Sequence, residues 1–300
     1  MDLRARLREW LLDDFGSAPL HVETEGGPVC EAEIRAKSAG VLAGRPYLLP
    51  LFEEAQRLLA LDRGAPPEIR WEAEEGAAFA PGDLLARVRG HGQILMKAER
   101  TALNLLSYVS EIATHTRGVL EAFGEFPPGF RGILDTRKGR PGLMFFEKCG
   151  VRVGGGKNHR LGMFDGELIK DNDIAVAGSI PAAVDARWDR RYMVEIQIEV
   201  QSLAQLGEVI EDGRVHMILL DNMDAAALRE AVGLARARGA ASRTGKPYVL
   251  EASGIKGGGL PPGAGLREIA ETGVDYISSS ALVRSAPPLD FNMKIVKVLR

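Results

Sequence analysis

The chain has 300 residues, 45% of them hydrophobic and 26% charged, and a formal net charge of −3. Those values describe an ordinary globular protein with room for one large domain or two of moderate size. They exclude an overall basic field for nucleic acid, and no apolar run is long enough to span a bilayer, so phosphate or carboxylate recognition requires a local cluster of cations. The two cysteines, Cys30 and Cys149, are too far apart for a zinc site or a redox pair and read as reduced, buried thiols. The opening MDLRARLREWLLDDFG is charged throughout and does not read as a signal peptide, so a cytoplasmic protein is expected.

In chain order, Leu3, Leu7, Trp10 and Leu11 recur at helical spacing and predict an opening helix. VCEAEIRAK from Val29 alternates like a strand, and a helix is expected near residues 50–61. IRWEAEE and LLARVRG read as two further strands separated by APGD, and a long helix is expected over about 94–123. Strands and helices without regular alternation indicate an α+β arrangement for this first part. From residue 130 the rhythm changes. FRGILDT, GELIKD, YMVEIQIEV, VHMILLD, PYVLEAS and VDYISSS are short apolar strands, and helices such as SLAQLGEVIED and DAAALREAVGLARARG lie between the later ones. That alternation means a parallel sheet with crossover helices, either open or closed into a barrel. The final LDFNMKIVKVL reads as a strand that returns to the first domain.

Nearly every one of these six strands ends in a charged or hydroxyl residue. Asp135, Arg137 and Lys138 follow the first, Lys170 and Asp171 the second, and Glu199 closes the third, whose Glu195 and Gln197 share its face. Asp221 ends the fourth, Glu251 and Ser253 the fifth, and Ser278, Ser279 and Ser280 the sixth. A single polar strand end is usually a helix cap, whereas six in succession match the C-terminal face of a βα barrel, where active sites are assembled. DTRKGRPG supplies Arg137, Lys138 and Arg140, VGGGKNHR supplies Lys157, His159 and Arg160, and LIKDND supplies Lys170. Alone, GGGKNHR is a flexible basic loop, His159 a structural histidine and Lys170 a surface lysine. Brought together they form a pocket for a polyvalent anion, with arginine forks for carboxylate or phosphate. Glu199 and Asp221 face them, either as holders of Mg²⁺ through water and substrate phosphates or as salt-bridge partners of the lysines.

These segments, taken together, resemble the quinolinate phosphoribosyltransferases. The resemblance is carried by AERTALNLLSYVSEIATHTR, ILDTRKGRPGL, EKCGVRVGGGKNHRLGMFDGELIKDN, VEIQIEVQSL, ILLDNM, LEASG and GVDYISSSAL, in order from about residue 98. It implies an N-terminal α/β sandwich over 1–115, joined by strand 288–300, and an incomplete, six-stranded parallel α/β barrel over 116–287. It also implies a homodimer in which Arg100 reaches the partner's pocket. Arg137, His159, Arg160 and Lys170 would hold a pyridine dicarboxylate, and Lys138 and Lys170 would face pyrophosphate. Glu199 and Asp221 would hold Mg²⁺ and the ribose of phosphoribosyl pyrophosphate, and Ser253, Gly254, Ser278, Ser279 and Ser280 the 5′-phosphate. The implied reaction joins quinolinate to the ribose phosphate with loss of CO₂. Arg140, Asp173, Ser280 and the rebuilt ASGIKGGG loop depart from the family pattern, the last two at the 5′-phosphate, and the first two leave open an alternative, a different heteroaromatic acid in the same chemistry. Two further alternatives are a catalytically silent anion-binding relative and a Schiff-base aldolase using Lys170, which leaves the arginines unexplained.

Overall fold

A computed structural model describes residues 2–16, 27–60, 66–189, 194–237, 242–243, 245–254 and 263–299. The chain forms two compact units, Met1–His115 with Ala286–Arg300, and Thr116–Ser285.

The first unit opens with α1 (Leu3–Phe15), capped by the Asp2 side chain and burying Leu7 and Leu11. Strand β1 (Val29–Ala36) alternates strictly, with Cys30, Ala32, Ile34 and Ala36 turned to the core. A two-residue strand β2 (Gly40–Val41) follows, and then α2 (Arg45–Leu58). Helix α2 begins five residues before the expected position. Pro46 stands in its first turn, and the Glu75 carboxylate accepts from the backbone N–H groups of Gly44 and Arg45 at 2.8 and 3.1 Å. That distant carboxylate satisfies donors a helix start leaves free, and no local pattern announces it. Strand β3 (Glu68–Trp71) stops well short of the expected seven residues because Glu74 and Glu75 turn towards Arg45 and the α2 start. Next come β4 (Ala78–Phe79), β5 (Leu84–His91) and the 32-residue α3 (Gly92–Phe123), whose residues from Thr116 on are counted in the second unit. The last strand of the chain, β12 (Phe291–Leu299), pairs antiparallel with β1 and gives a sheet ordered β12-β1-β5-β3.

The second unit contains the βα alternation. Its elements are β6 (Gly132–Leu134), α4 (Met144–Val153), β7 (Glu167–Ile169), α5 (Asp171–Ala177), α6 (Ile180–Trp188), β8 (Ile196–Val200) and α7 (Leu203–Asp212). They continue with β9 (Met217–Asp221), α8 (Ala225–Ala237), β10 (Val249–Ser253), α9 (Gly263–Ala270), β11 (Tyr276–Ser278) and α10 (Ala281–Arg284). The six strands pair in parallel in the order β6-β11-β10-β9-β8-β7. The edge strands β6 and β7 are not paired with each other among the described residues, so the barrel is incomplete. The sheet curves enough for Gln197 on β8 to hydrogen-bond Glu251 on β10 across the intervening β9. Ser179 and Ser202 cap α6 and α7. Cys30 and Cys149 are both free and buried. No described helix is long and apolar enough to cross a membrane.

Candidate active site

The C-terminal ends of all six parallel strands surround a cavity of about 440 Å³. Thr136, Arg137 and Lys138 enter it from beyond β6, and His159 and Arg160 from the loop that bridges to β6 through Lys157. Leu168 and Lys170 come from the end of β7, Glu199 from β8, and Leu219, Asp221 and Asn222 from β9. Glu251, Ser253 and Gly254 come from β10, and Ser278 from β11. A polar residue placed after a short apolar strand therefore points into one mouth, as the barrel topology requires.

Asp135 is fully buried and organises the basic loop from beneath. Its Oδ1 accepts from Lys148 Nζ at 2.6 Å and from the His159 N–H at 2.8 Å, and its Oδ2 accepts from Asn158 Nδ2 at 2.8 Å. Burial pushes the Asp135 carboxyl above the ordinary aspartate value, against the pull of Lys148. The Arg160 guanidinium donates to the Gly166 carbonyl at 2.7 Å. Burial, and then the neighbouring Arg137, hold that guanidinium below its ordinary value. Two cations pressed together in this way attract an anion.

Lys170 stands at the N-terminus of α5 and its ammonium reaches Glu199 Oε2 at 2.6 Å. This contact is the salt-bridge reading of Glu199. Asp221 accepts from Asn222 Nδ2 at 2.6 Å, and Asn222 has φ +57°. Gly254, at φ +68°, lies against this pair. A Cβ there would stand 2.5 Å from Asp221 Oδ1, so only glycine lets the backbone approach. Glu199 and Asp221 end adjacent parallel strands. Two carboxylates beside an anion pocket suit a hard divalent cation that takes its remaining oxygens from substrate and water. Among the described residues, no cluster of three or more His, Cys, Asp or Glu forms a self-sufficient metal site.

Of the site residues read from sequence, Arg137, Lys138, His159, Arg160, Lys170, Glu199, Asp221, Ser253, Gly254 and Ser278 line this one cavity. Ser279 and Ser280 follow β11 and are not in the lining; the Ser279 N–H bonds the Leu134 carbonyl and Ser280 precedes α10. Arg100 is exposed on α3 in the first unit. The ASGIKGGG loop beyond Gly254, including Lys256, lies outside the described residues. Asp173 and Arg140, expected to alter the choice of acid, have other work. Asp173 accepts from the Lys170 N–H at 2.8 Å and pairs with Arg187 at 2.6 Å, so it caps α5. The Arg140 N–H bonds Glu147 at 2.8 Å, and the Glu147 carboxylate fills the place a side chain at Gly139 would take, 1.9 Å from an added Cβ. Thr136 and Asn222 line the cavity without having been singled out in the sequence, whereas Glu251 and Gln197 were read there only as polar residues at strand ends, with no role assigned. Glu251 and Gln197 are buried, bonded to each other at 2.9 Å, and the Glu251 Oε1 has no hydrogen-bond partner among the described residues. Leaving such an atom unpaired costs about 1–3 kcal/mol, a sign that could be sought in sequence only as a polar residue inside an apolar strand.

Two family models match the chain, the N-terminal domain of quinolinate phosphoribosyl transferase over residues 20–110 and its C-terminal domain over residues 112–294. A probable carboxylating nicotinate-nucleotide pyrophosphorylase of Synechocystis is 36% identical over 97% of this chain and 92% of its own length. A protein of the same description from Bacillus subtilis is 35% identical over 98% of this chain and 94% of its own. Among solved structures, NadC from Streptococcus pyogenes superposes with a TM-score of 0.81 at 30% identity, covering 99% of this chain and 97% of the other. With both domain models matched in order and the cationic strand ends gathered in one mouth, the chain belongs to the quinolinate phosphoribosyltransferase family.

Proposed function

We propose that this protein transfers the phosphoribosyl group of phosphoribosyl pyrophosphate to quinolinate and decarboxylates the product, yielding nicotinate mononucleotide, pyrophosphate and CO₂. The observation that carries this reading is the single cavity in which Arg137, Lys138, His159, Arg160 and Lys170 oppose Glu199 and Asp221. Arg137 and Arg160 clamp the two carboxylates of the acid and so aim its ring nitrogen at C1 of the ribose. Lys138 and Lys170 stabilise charge on the departing pyrophosphate, and Lys170 exchanges its bond to Glu199 for this anion. Ser253, Gly254 and Ser278, with Ser279 and Ser280 beside them, receive the 5′-phosphate. Glu199 and Asp221 hold the ribose hydroxyls and Mg²⁺, which when bound supplies further charge neutralisation at the pyrophosphate. The ring nitrogen becomes cationic once it bears the sugar and stabilises the carbanion that the departing CO₂ leaves on the adjacent ring carbon, which then takes a proton from water, so the protein's share in that step is orientation.

We also propose a homodimer in which Arg100, exposed on α3, completes the partner's site. Two free, buried cysteines fit the reducing cytoplasm. The capping role of Asp173 and the absence of both Asp173 and Arg140 from the cavity lining favour quinolinate over another heteroaromatic acid. The test is turnover of purified protein with phosphoribosyl pyrophosphate, Mg²⁺ and a panel of pyridine mono- and dicarboxylates. Quinolinate is expected to give the highest kcat/KM with one CO₂ per nicotinate mononucleotide. A higher value for another acid would replace the substrate, and no turnover with any acid would leave the silent relative.

A further inference from the structure

We infer that Glu251 is a positioning residue of this site, which, acting through Gln197, fixes His159 in one tautomer and one orientation. The hydrogen bonds allow only one assignment. An ionised carboxylate is an acceptor only, so Gln197 Nε2 is the donor to Glu251 Oε2 at 2.9 Å. That turns Gln197 Oε1 to His159 Nε2, 3.0 Å away. An amide oxygen also only accepts, so the proton sits on Nε2. The other side of the ring gives the same answer independently, because the Arg160 N–H donates to His159 Nδ1 at 2.8 Å and requires a lone pair there. Glu251 Oε2 lies 3.5 Å from Nε2 and reinforces the arrangement directly.

Packing alone does not hold this ring. His159, Arg160 and Glu251 line the active cavity and also a second cavity of about 600 Å³, which extends to Glu195, Met217 and Val249 at the opposite ends of the strands. The imidazole therefore has space on two sides, and its hydrogen bonds set its pose. Burial pushes the Glu251 carboxyl up, but His159, Ser278 and Gln197 draw it below the ordinary glutamate value, which keeps it the pure acceptor that the chain of bonds needs. A buried carboxylate with one oxygen unsatisfied adds little to stability compared with an apolar residue of the same size. Its effect here is delivered to a ring that faces the substrate cavity, and the Arg160 backbone is tied to the same ring.

The kinetic part of the test rests on the proposed quinolinate reaction, whereas the spectroscopic part does not. ¹⁵N-histidine NMR of the full chain at about pH 8 reads the tautomer directly, with the His159 signals assigned by their loss in His159→Asn. The expected spectrum shows a protonated Nε2 and an unprotonated Nδ1. In Glu251→Gln the two nitrogens are expected to move towards averaged positions. The KM for quinolinate should rise about tenfold, the loss of one charge-assisted bond, with the KM for phosphoribosyl pyrophosphate within about twofold. A wild-type spectrum with the proton on Nδ1 overturns the inference even if the variant fails to fold. So does a folded variant with unchanged tautomer and unchanged KM. Absence of quinolinate turnover in the wild type would count against the proposed reaction and leave the NMR result to decide on Glu251.

Discussion

At the scale of single residues, the division of labour in the cavity follows from charge geometry. Arg137 and Arg160 are planar forks, and Lys138 and Lys170 are point charges. Replacing Arg137 by Lys keeps the charge and removes the fork. The quinolinate KM is expected to rise tenfold or more, from the loss of about 1.5–3 kcal/mol in a charged hydrogen bond, while the KM for phosphoribosyl pyrophosphate changes little. Steady-state kinetics with each substrate varied would check this, and equal effects on both would place Arg137 elsewhere. Arg137, Lys138 and Lys170 were legible in the sequence because each follows a short apolar strand, and a strand end in a parallel barrel has one destination, whereas Arg160 was legible from the basic GGGKNHR loop after α4. Glu251 and Gln197 were legible as polar strand residues but not as partners, because a polar residue in a strand says nothing of its partner, and theirs is another strand two positions away in the sheet. Asp173 looked like a specificity change and is a helix cap, since the local sequence does not show which way a side chain at the first turn points.

At the scale of elements, the loop 157–160 is shaped by the buried Lys148–Asp135 pair, which joins α4 to the end of β6. Removing one member leaves an uncompensated charge in the interior. Lys148→Met is expected to cost about 3–5 kcal/mol in denaturant unfolding and to abolish activity as the Asn158 and His159 contacts loosen. A loss below 1 kcal/mol would show that the pair is dispensable. The α5 start gives a milder case. Asp173→Ala removes the carboxylate that accepts from the Lys170 N–H and should cost about 1 kcal/mol, with the order of acid preference unchanged. A shift of that order would return Asp173 to substrate choice. The strands β6 to β11 were readable from apolar runs closed by polar residues. The bounds of α2 and β3 were not, because Glu75, thirty positions from Arg45, supplies the cap that starts one and ends the other.

At the scale of the whole molecule, stability against acid gathers contributions from groups in the second unit. In Glu251, Asp165 and Asp212 burial raises the carboxyl, and hydrogen bonds outdo it, from His159, from the Leu161 and Gly162 backbone, and from Arg214. Each therefore binds its proton more weakly when folded, and its stabilisation is present above the ordinary 4.5 of glutamate or 3.8 of aspartate and is lost as pH falls through the lower folded value. Asp135, raised by burial, runs the opposite way and loses its contribution as pH rises. The Tm of the wild type should thus fall below about pH 4, and that of Glu251→Gln should fall less steeply; parallel curves would show that Glu251 is not ionised in the fold. The change of rhythm near residue 130 reads as the start of the parallel strands, and LDFNMKIVKVL reads as a strand, which pairs with β1. The sharpest measurement is the crystal structure of the protein with quinolinate bound. The expected density places the acid in the mouth of the barrel, with its two carboxylates on Arg137 and Arg160 and its nitrogen turned towards Glu199 and Asp221. A dicarboxylate found away from these arginines, or none at saturating concentration, would contradict the assignment of this cavity as the substrate site.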